Sequence, residues 1–190
     1  AVPVSQHPML KAIEEFAQGS PLVGIVGGIE PRKGVELFLE TARAMVRSGD
    51  PAKFLLVGGL STSLQRKSAH ARLSRIITAC SSLGDNLFWR FERIESESLF
   101  DAVLSKLSVL WVLYPGFASS SNMLAKAATF NIPVIAHSGT LIGTRVENFG
   151  IGMTVSKPEP AEAATQIRKL LAEGPPRAGG FAAYATEHSR

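Results

Sequence analysis

Residues 22–34 read LVGIVGGIEPRKG, an apolar run followed by a loop that contains three glycines and a proline. The run from 22 to 26 has the length of a buried strand, and the glycine-rich loop ends it. Beyond the loop, apolar residues recur at spacings of three and four from Val35 to Val46, which predicts an amphipathic helix. A strand, a loop and a helix in this order form the first part of a βαβ unit.

The same alternation of short apolar runs and amphipathic segments continues along the chain. It predicts further strands at 53–57, 87–91, 108–113, 132–136 and 152–155. It predicts further helices at 64–82, after an N-cap at Ser96, at 122–130 and at 159–171. Strands that alternate with helices make parallel crossovers, and the helices then cover both faces of the sheet. We therefore predict an α/β fold with a doubly wound, parallel, Rossmann-like sheet.

The length of the chain and its composition near the ends suggest one domain with two flanking segments. A chain of 190 residues suits a single α/β domain. We expect a linker or N-terminal segment over residues 1–20 and the Rossmann-like domain over residues 21–173. Residues 174–190 are rich in Pro, Gly and Ala, which predicts a loosely packed tail.

The bulk composition limits the classes of partner. The formal net charge of +4 is compatible with nucleotide phosphates but too small and too scattered for nucleic acid. No apolar run approaches the roughly 18 residues of a membrane-spanning helix, so no integral membrane segment is predicted. The single cysteine, Cys80, cannot form an internal disulfide, which favours a reducing, cytoplasmic location.

Ligands of doubly wound sheets bind beyond the carboxyl ends of the strands, so the loops there carry the candidate site residues. In the first loop, Gly27 and Gly28 allow a close approach of the backbone to a ligand. Lys33, expected to be exposed, lies at a helix start, where a phosphate is favoured. The alternative is a polar turn with solvated cations. The loop lacks a P-loop ending, and no carboxylate follows the second strand at 58–59, so NAD is not expected.

The loop after the fourth strand places Ser119, Ser120, Ser121 and Asn122 at the start of a helix. Small side chains leave backbone amides accessible, and a helix N-terminus offers unpaired donors, so a diphosphate is a candidate ligand. Capping of the helix explains one such residue, and both interpretations remain open. In the diphosphate interpretation this loop lies close to Lys33, because the first and fourth strands are neighbours across the switch point.

Two further side chains follow strands, and each has a plain alternative. Arg93, after the third strand, is a candidate for a base pocket or pairs with Glu92 or Glu95. His137, after the fifth strand, contacts a sugar or a phosphate or is a polar surface residue. The four histidines lie far apart in the sequence without ligand spacing, so no metal site is predicted.

Five stretches of the sequence form an ordered set: GIVGG at 24–28, KG at 33–34, FLLVGG at 54–59, DNLFWRF at 85–91 and AATFNIPVIA at 127–136. Together they resemble the C-terminal domain of the GT-B glycosyltransferases of group 1, the glycogen-synthase-like family. The resemblance runs from about Leu22 to Leu171 and is divergent. Gly28 stands where the family usually has an arginine, and Ala118 and Lys126 stand where it has two glutamates with seven residues between them.

The resemblance implies that the chain binds a nucleoside-diphosphate sugar, with uridine or guanosine as the base, for transfer of the sugar to an unknown acceptor. Lys33 matches the phosphate-binding lysine of the family, and Lys126 would supply extra positive charge. Neither a metal ion nor another cofactor is implied, since the family neutralises the leaving diphosphate with cationic side chains and a helix terminus. No catalytic residue is assigned, and the candidate nucleotide-binding residues are Gly27, Gly28, Lys33, Arg93, Ser119, Ser120, Ser121, Asn122 and Lys126.

The resemblance also implies that this domain is half of a GT-B enzyme. The acceptor site of the family lies on a preceding N-terminal domain, which is missing here. We therefore expect the isolated domain to bind the donor but to be incomplete for catalysis. Because both family carboxylates are absent, a non-catalytic, degenerate nucleotide-binding or assembly module on the same fold is the alternative.

Overall fold

A computed structural model describes residues 3–115 and 122–188, and within these ranges it contains one sheet of six parallel strands. The order across the sheet is β3-β2-β1-β4-β5-β6. The direction of winding therefore changes between β1 and β4, and the predicted doubly wound parallel fold is confirmed. The strands are β1 (Leu22–Val26), β2 (Lys53–Val57), β3 (Leu87–Arg90), β4 (Val109–Val112), β5 (Val134–His137) and β6 (Gly152–Val155).

Helices flank the sheet on both faces. The single helix predicted over 64–82 is wrong, because Arg66 is extended (φ −69°, ψ 146°) and separates a short helix from a longer one. The polar residues at 65–68 interrupt the apolar face there, which removes the packing reason for a continuous helix. The helices are α1 (Pro8–Ala17), α2 (Val35–Arg47), α3 (Thr62–Gln65), α4 (His70–Ser82), α5 (Glu97–Leu104), α6 (Asn122–Phe130), α7 (Leu141–Phe149), α8 (Pro160–Glu173) and α9 (Gly180–His188).

The core has two layers, one on each face of the sheet. Apolar side chains of α2, α4 and α8 pack on one face, and those of α1, α5, α6, α7 and α9 pack on the other. In β4, Trp111 points to the α2 face, whereas Leu110 and Val112 point to the α5 face. Cys80 is part of the first layer, and burial raises the pKa of its thiol to about 12, so it acts as an apolar packing residue.

Both ends of the chain contribute helices to the second layer. Leu10 and Ile13 of α1 are buried under the sheet, although residues 1–20 are expected to be a linker. The tail beyond Gly174 is expected to be loosely packed, yet Phe181 and Tyr184 of α9 are buried there. The Gly, Pro and Ala content of the tail conceals these two aromatic residues, which provide the apolar surface that holds α9 in place.

Because the six strands are parallel, all their carboxyl ends lie along one edge of the sheet. The loops after β1, β3, β4 and β5 therefore begin at the same edge, as predicted. Across residues 3–115 and 122–188, no helix is long and apolar enough to cross a membrane.

Candidate functional site

A cavity of about 750 Å³ lies beyond the carboxyl ends of β1, β2 and β3. This volume is within the range of small-ligand sites. The cavity combines exposed glycine backbone with apolar walls and a few polar side chains. It is lined by Gly27, Gly28, Gly58 and Gly59, by Leu60, Phe91, Ile94 and Phe100, and by Glu30, Ser61, Thr62, Gln65 and Arg93.

The two glycine loops that form one wall of the cavity are held together by backbone hydrogen bonds. The Gly27 amide donates to the Val57 carbonyl over 2.9 Å, and the Ile29 amide donates to the Gly59 carbonyl over 2.8 Å. A Cβ atom on Gly58, where φ is +153°, would lie 1.8 Å from the Gly27 carbonyl oxygen. Only glycine permits this approach. The two hydrogen-bonded loops thus present main-chain atoms to the cavity, and we call them the glycine-loop wall (residues 27–29 and 57–59).

Lys33 lies directly behind this wall. Its ammonium nitrogen is 3.7 Å from the position that a Cβ on Gly27 would occupy, and the Phe100 ring is 3.3 Å from the same point. The backbone of Lys33 is fixed from below, since Trp111 Nε1 donates to the Lys33 carbonyl over 3.1 Å. Gly27 and Phe100 line the cavity, and the ammonium group of Lys33 lies next to them at the end of the cavity that we call the inner end.

Lys33 is buried, with 8% of its surface exposed, which corrects the expectation of a solvated lysine at a helix start. Desolvation by burial lowers the pKa of Lys33, and the negative charge of Glu30 only partly opposes this. Among the residues that the structure describes, no carboxylate lies within 4 Å of its ammonium group. A buried charge without a counter-charge is costly, and such groups are concentrated at functional sites.

The other charges of the first loop pair with each other. Arg32 Nε donates to Glu30 Oε2 over 2.5 Å, and this hydrogen bond raises the pKa of Arg32. Glu30 also lines the cavity, so the carboxylate nearest to Lys33 is already engaged by a neighbouring arginine. This arrangement leaves Lys33 as a source of positive charge for a ligand.

Arg93 lies at the opposite rim of the cavity. Its backbone is 3.6 Å from the position of a Cβ on Gly59, so the loop after β3 packs closely over the second glycine loop. In the described parts of the chain, neither Glu92 nor Glu95 lies within 4 Å of the Arg93 guanidinium. The alternative of an ion pair with a neighbouring glutamate is therefore not observed, and the role of Arg93, which lines the cavity, in a base pocket stays a prediction.

Lys126 is in a different environment. It lies on α6 and forms ion pairs with two carboxylates of α5, Glu97 and Asp101, the second over 2.6 Å. Burial lowers the pKa of Lys126, but the hydrogen bonds to Asp101 and Glu97 outweigh this and raise it. Its ammonium also lies 5.1 Å from the centre of the Phe100 ring. We call these three charged residues the α5–α6 clasp. Because the clasp neutralises Lys126, a contribution of this residue to diphosphate binding stays a prediction.

The serine-rich loop is outside the described residues, which exclude Ser119, Ser120 and Ser121. The helix that follows begins at Asn122, whose side chain is exposed. The predicted proximity of Lys33 to this loop therefore stays a prediction. The described part of the Lys33 environment is consistent with it, since a Cβ on Gly34 would be 2.7 Å from the Leu113 carbonyl oxygen at the end of β4.

Sequence reasoning missed part of the cavity. Phe100 follows the buried Leu99 on α5 and was treated only as a helix residue, although its ring forms the inner wall. Gln65 fell in the helix predicted over 64–82, and Ser61 and Thr62 fell just before it, all without a functional assignment, although the three line the cavity. The available signal was the glycine pair at 58–59, which ends the strand and marks the residues after it as a loop at the carboxyl edge of the sheet. No group of three or more potential metal ligands occurs within residues 3–115 and 122–188.

A parallel sheet with a glycine-walled cavity at its carboxyl edge defines a Rossmann-like ligand-binding domain, and the comparisons with known proteins specify its type. The chain belongs to the family of glycosyl transferases group 1, whose model matches residues 8–188. No protein with a curated description matches the chain in sequence.

Several solved structures with the same fold are glycosyltransferases. The C-terminal domain of a group 1 glycosyl transferase, LpcC, from Francisella tularensis matches with a TM-score of 0.65 and 14% identity, over 93% of this chain and 92% of that one. HepE from Anabaena, solved with UDP and glucose, matches with a TM-score of 0.72 and 13% identity, over 98% of this chain and 50% of its own. A UDP-forming α,α-trehalose-phosphate synthase from Burkholderia xenovorans matches with a TM-score of 0.72 and 10% identity, over 98% and 43%.

This chain thus corresponds to one half of the two longer enzymes and to nearly all of the isolated C-terminal domain. At these identities the likeness establishes the fold, and the family match identifies the chain as a member of the group 1 glycosyltransferases.

Proposed function

We infer that this chain is the donor-binding half of a glycosyltransferase and holds a nucleoside-diphosphate sugar at the carboxyl edge of its sheet. The observation that carries this inference is Lys33, a buried lysine without a carboxylate partner in the described residues, next to a cavity of about 750 Å³. An anionic ligand is the natural counter-charge for such a group. The glycine-loop wall leaves room for that ligand because the four residues by which it lines the cavity are glycines.

The positions of the groups suggest how the nucleotide lies. The apolar walls and Arg93 suit a planar base and its sugar, which would occupy the outer cavity over β2 and β3. The diphosphate would then lie at the inner end, beside Gly27 and within reach of Lys33. An arginine plane can stack on a base, and a lysine supplies a compact charge for a phosphate oxygen.

The same features argue against a dinucleotide. A Rossmann site for NAD uses a carboxylate after the second strand to hold the ribose, but β2 is followed here by Gly58-Gly59. Glu30 is the carboxylate that lines the described part of the cavity, and Arg32 engages it. We therefore expect UDP or GDP to bind more tightly than NAD.

Transfer of the sugar needs an acceptor site and a second domain in this proposal. The two longer enzymes that match this chain are about twice its length, and the UDP and glucose in the HepE structure are of the proposed ligand class. The acceptor would approach from the partner domain across the carboxyl edge of the sheet. The isolated chain should accordingly bind the donor and transfer little sugar.

Isothermal titration of the purified chain with UDP, GDP and NAD tests the proposal. Lys33→Met should weaken binding of the preferred diphosphate by roughly 1.5–3 kcal/mol, the range for hydrogen bonds to charged groups. Lys169→Met is the matched control, because Lys169 is exposed on α8. Its neighbour Arg168 pairs with Asp50, which precedes β2, so Lys169 lies toward the amino ends of the strands and away from the cavity. Tighter binding of NAD than of both diphosphates, or equal effects of the two substitutions, would contradict the proposal.

One observation favours a second candidate, a nucleotide-binding module without catalysis. Lys126 occupies a position where the family has a carboxylate, and the α5–α6 clasp uses it as a structural cation. A chain that retained only binding would show this kind of replacement. The two candidates differ in turnover when the chain is combined with its neighbouring domain. Release of UDP or GDP from the donor sugar in that complex supports the enzyme, and tight donor binding without release supports the module.

A further inference from the structure

His137 ends β5, two strands from the Lys33 loop along the carboxyl edge of the sheet. Of the side-chain nitrogen and oxygen atoms buried in the described part of the chain, His137 Nδ1 is the one that lacks a hydrogen-bond partner. The side chain as a whole is only partly buried. An unsatisfied polar atom of this kind is uncommon in folded proteins, and here it bears on which of the two ring nitrogens carries the proton.

The sheet register determines which face His137 occupies. His137 pairs with Val155 of β6, and its second neighbour in the strand is Ile135, which pairs with Trp111 of β4. Ile135, Trp111 and Val155 all belong to the core layer beneath α2. Since residues paired in a sheet share a face, His137 lies on the face where the Lys33–Gly34 turn leads into α2.

The Lys33 loop and His137 approach the end of β4 from its two sides. Lys33 accepts a hydrogen bond from Trp111, and a Cβ on Gly34 would be 2.7 Å from the Leu113 carbonyl oxygen. The β4–β5 register, continued by one residue, sets His137 beside Leu113. One ligand lying across the end of β4 would therefore meet both groups.

The order of groups along the edge assigns a part of the ligand to each strand. The cavity lies over β3, β2 and β1, Lys33 lies between β1 and β4, and His137 lies at β5. From β2 to β5 there are three strand spacings of about 4.8 Å each. If the base is in the cavity and the diphosphate is beside Lys33, the group beyond the second phosphate reaches β5. In a nucleoside-diphosphate sugar that group is the sugar.

The buried nitrogen also determines what His137 can offer. A neutral imidazole carries one N–H donor and one acceptor nitrogen. Because a buried N–H donor without a partner is rarer than a buried acceptor without one, we assign the tautomer in which Nδ1 is unprotonated. Nε2 then carries the proton and is a hydrogen-bond donor.

We propose that His137 is a sugar-recognition residue of the donor site, donating a hydrogen bond from Nε2 to a hydroxyl oxygen of the sugar. The proposal rests on the proposed function, because it needs the diphosphate beside Lys33. It adds a contact that discriminates a nucleotide sugar from the bare nucleotide. It also makes β5 the strand whose end determines which sugar is accepted.

Two variants distinguish the effect of the hydrogen-bond donor of His137 from the effect of its planar ring. His137→Phe keeps a planar ring but removes the hydrogen-bond donor, whereas His137→Gln keeps an N–H near the position of Nε2. The probes are UDP and GDP, and the nucleotide sugar that binds wild type most tightly among UDP-glucose, UDP-galactose, UDP-N-acetylglucosamine and GDP-mannose. We expect His137→Phe to weaken the nucleotide sugar about 5- to 10-fold, as for one hydrogen bond. It should leave UDP and GDP within about twofold, and His137→Gln should retain most of the affinity for the nucleotide sugar.

Spectra of the chain with ¹⁵N-labelled histidine test the tautomer directly. We expect Nδ1 of His137 to be unprotonated and the Nε2–H signal to move on addition of the nucleotide sugar but not of UDP or GDP. A protonated Nδ1, an equal loss for nucleotide and nucleotide sugar in His137→Phe, no loss in that variant, or binding of UDP or GDP without binding of any nucleotide sugar would each overturn the proposal. Failure of both UDP and GDP to bind wild type would instead remove the proposed function, and this inference with it.

Discussion

Two lysines lie near the Phe100 ring, and their surroundings differ. Lys33, behind the glycine-loop wall, is buried and has no carboxylate within 4 Å in the described residues. Lys126, in the α5–α6 clasp, is held by Glu97 and Asp101. The pKa of the first is lowered by burial, and the pKa of the second is raised by its acidic partners. Charge alone therefore does not mark a candidate ligand-binding residue, and burial without a carboxylate partner in the described residues is what makes Lys33 a candidate.

The largest expected effect comes from breaking the glycine-loop wall. Gly58→Ala places a methyl group 1.8 Å from the Gly27 carbonyl oxygen at a φ of +153°, so the two loops must separate. We expect a loss of roughly 3–5 kcal/mol in the free energy of unfolding, measured by urea denaturation. Gly84→Ala is the control, with φ +51° and no atom within 4 Å of the added carbon, and should cost about 1–2 kcal/mol. Equal losses in both variants would show that the loop contact is not tight.

A direct comparison of the two lysines gives the next largest effect. Lys33→Met should weaken diphosphate binding about 10- to 100-fold, because the buried ammonium group is lost. Lys126→Met should change the same Kd by less than about threefold, because its charge is already neutralised by two carboxylates. Titration calorimetry of both variants measures this. A larger effect at Lys126 would reverse the assignment of the phosphate-binding group.

For the free energy of unfolding, the order of the two lysines should be reversed, so that the substitution of Lys126 has the larger effect. Lys126→Met leaves Glu97 and Asp101 without a cation and should lower the free energy of unfolding by roughly 0.5–1 kcal/mol, as expected for partly exposed pairs. Lys33→Met should not lower it, because the substitution removes a buried charge and keeps the volume of the side chain. Exchanging the charges in the double variant Lys126→Asp, Asp101→Lys should recover part of the loss. Without any recovery, the clasp would contribute by packing alone.

The smallest effect is the pH dependence of stability at Lys33. Since burial lowers its pKa in the folded state, the unfolded chain binds the proton more tightly between that pKa and 10.5. Wild type should therefore gain stability relative to Lys33→Met as the pH rises toward 10.5, and the gap should be constant at lower pH. Denaturation curves of both proteins from neutral to alkaline pH measure this gap. A gap that widens in favour of the variant would contradict a lowered pKa.

Most of the fold was predictable from the sequence because apolar periodicity determines strands and helices directly. The run at 109–113 is apolar throughout, and β4, which lies within it, is buried on both faces. Ser96 was correctly predicted as a helix cap, and its hydroxyl accepts a hydrogen bond from the Leu99 amide. The errors fall where the local pattern is weak. The Gly, Pro and Ala content of the tail conceals α9, and the interruption at Arg66 has no proline or glycine to mark it.

The site was less predictable, because it depends on contacts between distant segments. Gly27, Gly28, Lys33 and Arg93 are brought together around one end of the cavity or lie in its lining, as their positions after strands suggest. The burial of Lys33 was not predictable from its local sequence, since its surroundings include segments far along the chain, such as Trp111, which donates a hydrogen bond to its carbonyl. The pairing of Lys126 with α5 was equally hidden, because residues 97 and 101 are far from it in sequence.

In the proposed function, Lys33 is a buried cation that binds an anionic ligand, and a titration of Lys33 itself is the most direct test. NMR of the chain with ¹³C-labelled lysine gives the pKa of Lys33 with and without UDP, and Lys169 serves as the exposed reference. We expect the pKa of Lys33 to lie below that of Lys169 in the free chain. We expect the pKa of Lys33 to rise on addition of UDP, because a bound diphosphate stabilises the ammonium form. A pKa of Lys33 equal to that of Lys169, or one unchanged by bound UDP, would contradict it.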